Sequence, residues 1–138
     1  MDISPLSYIL GCVAWTVNVD LITDWLNELD DNSYNLLNAA MEILADIGPA
    51  LREPLVKKIT SSRHNNMKEL RPGSAGAQKI RVLFAFDPQR AAVMLVGGDK
   101  AGDWSGWYDE NVGVADDLFD KHLKALDDER KKKRGKKR

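Results

Sequence analysis

Four side chains able to move protons or stabilise negative charge fall in one part of the chain: His64, Arg81, Lys100 and Tyr108. Arg81 sits within IRVLFAF, where Ile80, Val82, Phe84 and Phe86 alternate onto one face and Arg81, Leu83 and Ala85 onto the other. A guanidinium in mid-strand is costly to desolvate, so it must open onto solvent, pair with a carboxylate such as Glu69 or Asp99, or meet an anionic ligand. Lys100 lies in GGDKAG, where glycines let a backbone and an anion approach closely, although a solvated loop lysine fits the same pattern. Tyr108 follows Trp104 and Trp107. Rings beside cations can stack on unpaired bases, and a phenol can relay a proton, whereas the indoles fit packing roles equally well. His64 is the histidine nearest these cations and a candidate general acid or base, set in the loop-like SSRHNN. His122 falls on an apolar helical stripe and reads as a core or helix-end residue.

Charge along the chain is strongly segregated although the formal net charge is only −1. Residues 1–51 hold 8 acidic and no basic side chains, and residues 52–100 hold 10 basic and 4 acidic ones. Residues 101–129 return to 9 acidic against 2 basic, and residues 130–138 carry 8 basic and none acidic. Such a cationic island suits phosphate, and it equally allows acidic helices to pack near a basic sheet.

These residues need a frame to hold them, and 138 residues with 43% apolar content suffice for one domain over residues 1–129. The single cysteine, Cys12, excludes an internal disulfide and fits a buried apolar role in a reducing, cytoplasmic setting. The apolar stretch 6–15 is shorter than the ~20 residues of a membrane span and lacks preceding basic residues, so neither export nor membrane insertion is indicated.

An α+β order follows from the periodicities. Residues 13–19 predict a first strand and residues 20–29 a short amphipathic helix. A capping turn, DDNS, then leads into a second helix carrying Tyr34, Leu37, Met41 and Leu44, which stops at Gly48-Pro49. Beyond Pro49 the chain reads as irregular or as short extended pieces. Residues 67–71 predict a strand with Lys68 and Leu70 on one face and Glu69 and Arg71 on the other. Strands at 79–86 and 91–97 form a hairpin whose Asp87-Pro88-Gln89-Arg90 connection suits a type I turn. The last helix carries Ala115, Leu118, Phe119, His122, Leu123 and Leu126 on one stripe. The basic tail 130–138 is expected to be disordered when unbound.

The ordered set ELRP, IRVLFAFDPQR, LVGGDKAGDWSGWY and ADDLFDKHL resembles the HigB-type, phage-derived branch of the RelE toxin superfamily, over roughly residues 13–126. The resemblance implies a RelE-like compact fold, a small antiparallel sheet with an N-terminal αα-hairpin on one face and a C-terminal helix. It also implies a type II toxin: a metal-independent endoribonuclease that cuts mRNA on the ribosome and is held inactive by a cognate antitoxin, often with a helix-turn-helix. No cofactor is implied, and operator DNA is reached only through the antitoxin.

Metal-free RNA cleavage uses a 2′-hydroxyl to attack the adjacent 3′-phosphate, so the protein must position the phosphate, stabilise its charge and move protons. By the resemblance Arg81 takes the scissile phosphate and Lys100 neutralises the phosphorane or orients the 2′-hydroxyl, while Tyr108 as a proton relay and His64 as a general acid or base complete the catalytic set on their own chemistry. Lys68, Arg71, Arg63 and Trp107 are the RNA-binding candidates. Lys68 and Arg71 face opposite ways, so only one of them lines the groove well, and Arg71, on the Glu69 face, is favoured. Val112-Gly113-Val114 replaces the Ile-Pro pair common before the last helix in relatives. Two other classes stay open: a non-catalytic nucleic-acid-binding domain and a phage-derived protein-interaction domain of the same fold. Metal hydrolysis lacks any ligand spacing to support it.

Overall fold

In a computed structural model that describes residues 15–73, 80–99 and 104–136, the chain begins with β1 (Thr16–Asn18) and a 3-10 turn (Asp20–Ile22). It continues through α1 (Thr23–Glu28), α2 (Asp31–Ile47), a second 3-10 turn (Gly48–Ala50) and β2 (Val56–Lys58). Then come β3 (Met67–Leu70), β4 (Ile80–Phe86), β5 (Ala91–Asp99) and α3 (Trp104–Lys136). The fold is α+β, with one five-stranded sheet in the order β1-β5-β4-β3-β2. Neighbours from β2 to β5 are antiparallel as expected, whereas β1 adds to β5 in parallel, making the sheet mixed.

Both faces of the sheet are covered, and the alternation of β4 decides which residue goes where. Val82, Phe84 and Phe86 pack with Ile22, Leu26, Leu37, Met41 and Leu44 beneath α1 and α2. Leu83 and Ala85 pack on the opposite face with Val112, Ala115 and Phe119 of α3. All seven residues of β4 are buried, as befits the central strand of a sheet covered on both sides. Arg81 shares the odd-numbered set with Leu83 and Ala85, so its side chain belongs to the α3 side.

Local signals explain the ends of the elements. The Asp30 side chain accepts a hydrogen bond from Ser33 N at 3.2 Å and caps α2, and Gly48, with φ 72°, ends it. In the β4–β5 turn, Asp87 Oδ1 accepts from Gln89 N and Ala91 N at 2.8 and 3.0 Å, while Arg90 adopts φ 62°. With the Arg90 N–H donating to the Asp87 carbonyl at 3.3 Å, this is a hydrogen-bonded β-turn closed by a left-handed residue. The Arg90 guanidinium lies 4.3 Å from the Trp15 ring centroid.

α3 continues through Lys136, into the basic segment that follows residue 129. Asp127 pairs with Arg130 at 2.7 Å and with Lys131 at 3.1 Å, one helical turn apart. Such pairs support a helix made of good helix formers even without a packed face. Residues 13 and 14 of the expected first strand, most of the loop after Pro72, and Lys100 lie outside the described residues.

Candidate active site

Glu69 is the hub of the site. It stands on β3 opposite Leu83 of β4, and its residue is 1% exposed. Three polar side chains converge on it. The Tyr108 hydroxyl, from α3, donates to Glu69 Oε2. Arg81 Nε, from β4, and Arg71 Nε, just beyond β3, each lie 3.7 Å from Glu69 Oε1. Arg81 Nη1 also donates to the Ile80 carbonyl at 2.8 Å, which fixes the guanidinium along its own strand.

Burial grades this cluster from inside to outside. Arg81 is 6% exposed, so burial pulls its pKa below the usual arginine value and the Glu69 charge pulls the other way. Burial first, and then the hydrogen bond to Glu69, raise the Tyr108 pKa above that of a free phenol. Arg71 is the accessible member, with its side chain 31% exposed. A phosphate approaching from solvent therefore meets Arg71 first.

Gly98 of β5 is the register partner of Arg81, and Trp107 lies over it: a Cβ there would be 2.5 Å from Trp107 Nε1. On the other face, a Cβ on Gly97 would enter the ring of Trp25. These two glycines make room for indoles rather than for an anion. Trp107 is partly buried, packed against the α3-side core and edge-on to Tyr108 at 5.2 Å, and so fixes the position of that phenol.

Of the candidate residues, the structure gathers Arg81, Tyr108 and Arg71 around Glu69, with Trp107 against Tyr108. His64 and Arg63 are elsewhere. They sit before Met67, which pairs with Ala85, and Asn66 Nδ2 donates to the Phe86 carbonyl at 2.8 Å. Arg81 and Phe86 are five strand residues apart, about 17 Å, so His64 is at the far end of β4 from Arg81. His64 Nε2 lies 2.7 Å from Asp120 Oδ1, and its ring is edge-on to Phe119 at 5.0 Å. Arg63 pairs with Asp117 at 2.8 Å and also with Asp120, so both side chains clamp the β2–β3 loop to α3. Lys68, as the alternation predicts, is on the opposite face from Glu69; its Nζ is 5.6 Å from the Phe86 ring centroid.

Glu69 is the residue that sequence reasoning treats as a mere counter-ion. Its signal lies in KELR, where alternation puts Glu69 and Arg71 on the Arg81 face.

The chain matches the family described as phage derived protein Gp49-like (DUF891) over residues 24–120. It is 49% identical over 136 residues to a Mycobacterium tuberculosis H37Rv protein provisionally named toxin HigB2, covering 99% of this chain and 68% of the relative. The chain belongs to the HigB-type, phage-derived toxin family. A second relative from the same organism, provisionally named toxin HigB3, is 46% identical over 92 residues, covering 67% of this chain and 78% of its own length. No solved structure gives a significant match. The β3–β4–β5 core and the N-terminal half of α3 of this HigB-type chain fall within the family match.

Proposed function

We infer that this chain is the toxin of a toxin–antitoxin pair and that it acts as an endoribonuclease on mRNA at the ribosome, silenced by a cognate antitoxin. The observation that carries the reading is the buried Glu69 carboxylate bracketed by two guanidiniums and a phenol. In cleavage, the Glu69 carboxylate takes the proton from the 2′-hydroxyl as its oxygen attacks the adjacent phosphorus. Arg81 and Arg71 hold the non-bridging oxygens, whose charge grows in the transition state, and a planar guanidinium matches two such oxygens at once.

The bond from phosphorus to the 5′-oxygen then breaks. Tyr108, held protonated by its raised pKa, supplies the leaving oxygen with a proton. The phenolate recovers that proton from Glu69 along the hydrogen bond already present, so the proton taken from the 2′-hydroxyl is returned and the site resets. The products are a 2′,3′-cyclic phosphate and a 5′-hydroxyl. Lys100, outside the described residues, is carried over from the family resemblance alone as a further cation for the phosphorane. His64 and Arg63, bound to Asp120, belong to the scaffold.

A second reading takes the same cluster as a structural ion pair in a non-catalytic interaction domain, favoured by the near-complete burial of Glu69. Induced expression separates the two, with 5′ ends of translated messages mapped in the presence and absence of the neighbouring gene. Growth arrest with new 5′-hydroxyl ends, relieved by the neighbour, is the expected result. Normal growth with intact messages at confirmed protein levels favours the interaction domain.

A further inference from the structure

A second cationic surface lies on the opposite face of the sheet from Glu69. Arg52, Lys58 and Lys68 line a groove of about 560 Å3 between the segment after α2 and the β2–β3 edge, with Pro49, Leu51 and Val56 as its apolar wall, and Lys57, the register partner of Glu69, reaches its rim from the other face. Among the described residues no carboxylate forms an ion pair with any of these four cations, although Glu53 shares the rim. Their mutual repulsion is visible at Lys68, whose pKa is pushed down by burial and then by the Arg52 and Lys58 charges. Like charges gathered without carboxylate partners are disfavoured in the free protein and gain most from an anion.

The position of the groove selects the anion. Lys58 pairs with Lys68 across the β2–β3 ladder, and β2 is the edge of the sheet. Lys68 and Arg71 are three residues apart along the chain, about 10 Å if extended, and lie on opposite faces. The three-residue β2 is the outermost strand on this side, and the Arg71 N–H donates to the Leu55 carbonyl just ahead of it. A flexible chain with a negative charge at every repeat can round this edge and keep cationic contact throughout. Its sugars would rest on the apolar wall.

We propose that the Arg52–Lys58–Lys68 groove binds the sugar-phosphate backbone of a single RNA strand, as an extension of the strand whose scissile phosphate sits at Arg71 and Arg81. The inference rests on the ribonuclease reading above for its direction, while its binding step is measurable without any cleavage.

The test uses the full chain and a fluorescein-labelled, fully 2′-O-methylated 12-nucleotide RNA, which lacks the attacking hydroxyl. Anisotropy titrations are run across a KCl series. Arg52→Ala/Lys58→Ala/Lys68→Ala is expected to weaken binding and to lower the slope of log K against log salt by about 2, at roughly 0.7 for each phosphate that loses its cation. Arg52→Ala/Lys58→Ala, confined to exposed side chains, is expected to lower it by about 1.4, and its circular dichroism to match the parent. Unchanged affinity and slope in both variants would overturn the proposal. So would a 12-residue polyglutamate that displaces the RNA from the parent at a lower concentration than unlabelled RNA does, since the groove would then suit an acidic protein segment. Absence of message cleavage by the parent sinks the ribonuclease reading alone, because the groove is scored by the salt slope.

Discussion

The hydroxyl of Tyr108 donates to the carboxylate of Glu69, linking the first turns of α3 to the α3-side face of β3. This bond crosses between elements that are 39 residues apart in sequence, and it ties the proposed proton donor to the proposed base. Tyr108→Phe keeps the ring and deletes the bond. A stability loss of about 1–3 kcal/mol in urea unfolding is expected, because Glu69 loses a donor while buried. Cleavage is expected to fall by about 10²-fold or more, since the proton donor is gone. A stability loss with full cleavage would leave Tyr108 a purely structural role.

Alkaline titration checks the same bond. The folded-state pKa of Tyr108 lies above its ordinary value of 10.0, so the folded protein holds this proton more tightly than the unfolded chain does. Its contribution to stability is therefore complete below about pH 10 and is lost as pH rises through the higher folded value. Absorbance at 295 nm should show a late-titrating fraction, and Tyr108→Phe should remove it.

The Arg81–Glu69 pair is buried on both sides, with side chains 7% and 1% exposed. Arg81→Met leaves a carboxylate in the interior with a cation removed, at an expected cost of about 3–5 kcal/mol. Arg81→Met/Glu69→Leu removes both charges, and its urea midpoint is expected to lie closer to the parent than that of the single variant. A double variant less stable than the single one would contradict the desolvation argument.

Much of this frame is readable in the sequence because it depends on local periodicity. The period-2 alternation of IRVLFAF and its Asp-Pro turn mark the β4–β5 hairpin, and Leu37, Met41 and Leu44 mark the buried face of α2. Tyr34, placed on that same face by spacing, is 43% exposed, because it lies in the first turn, at the edge of the packed stripe. What sequence could not supply depends on distant partners. The three-residue β2 is too short for a period, and parallel pairing of β1 with β5 joins residues about 75 positions apart. Similarly, His64 is near the cations only through its neighbours in sequence, whereas Asp120, 56 residues away, determines where its ring goes.

That relocation has its own consequence. Arg63 first and His64 second hold the Asp120 carboxyl below its ordinary pKa, so this clamp persists above about pH 4 and is lost as pH falls through the depressed folded value. Asp120→Asn should speed amide hydrogen exchange across residues 60–66. His64→Gln should leave message cleavage within about threefold of the parent, far from the 10²–10⁴-fold that loss of an acid–base group brings. A loss of that larger size would return His64 to the catalytic set.

Gly98 offers a steric check on the indole platform. Gly98→Ala places a methyl against Trp107 Nε1, and over-packing of this kind costs about 1–3 kcal/mol. The Trp107 ring must move, and Tyr108 with it. A changed tryptophan emission together with weakened cleavage is the expected pair of observations; unchanged emission would mean that the β5 backbone yields instead.

The most direct measurement is single-turnover cleavage of an mRNA on programmed ribosomes, comparing the parent with Glu69→Gln and identifying the chemical ends. Glu69→Gln keeps the shape of the hub and removes the base. The expected result is a 2′,3′-cyclic phosphate with a 5′-hydroxyl from the parent, and a rate at least about 10²-fold lower in a folded Glu69→Gln protein. A 5′-phosphate product, or an undiminished rate in that variant, would contradict the assignment of this cluster as a metal-free ribonuclease site.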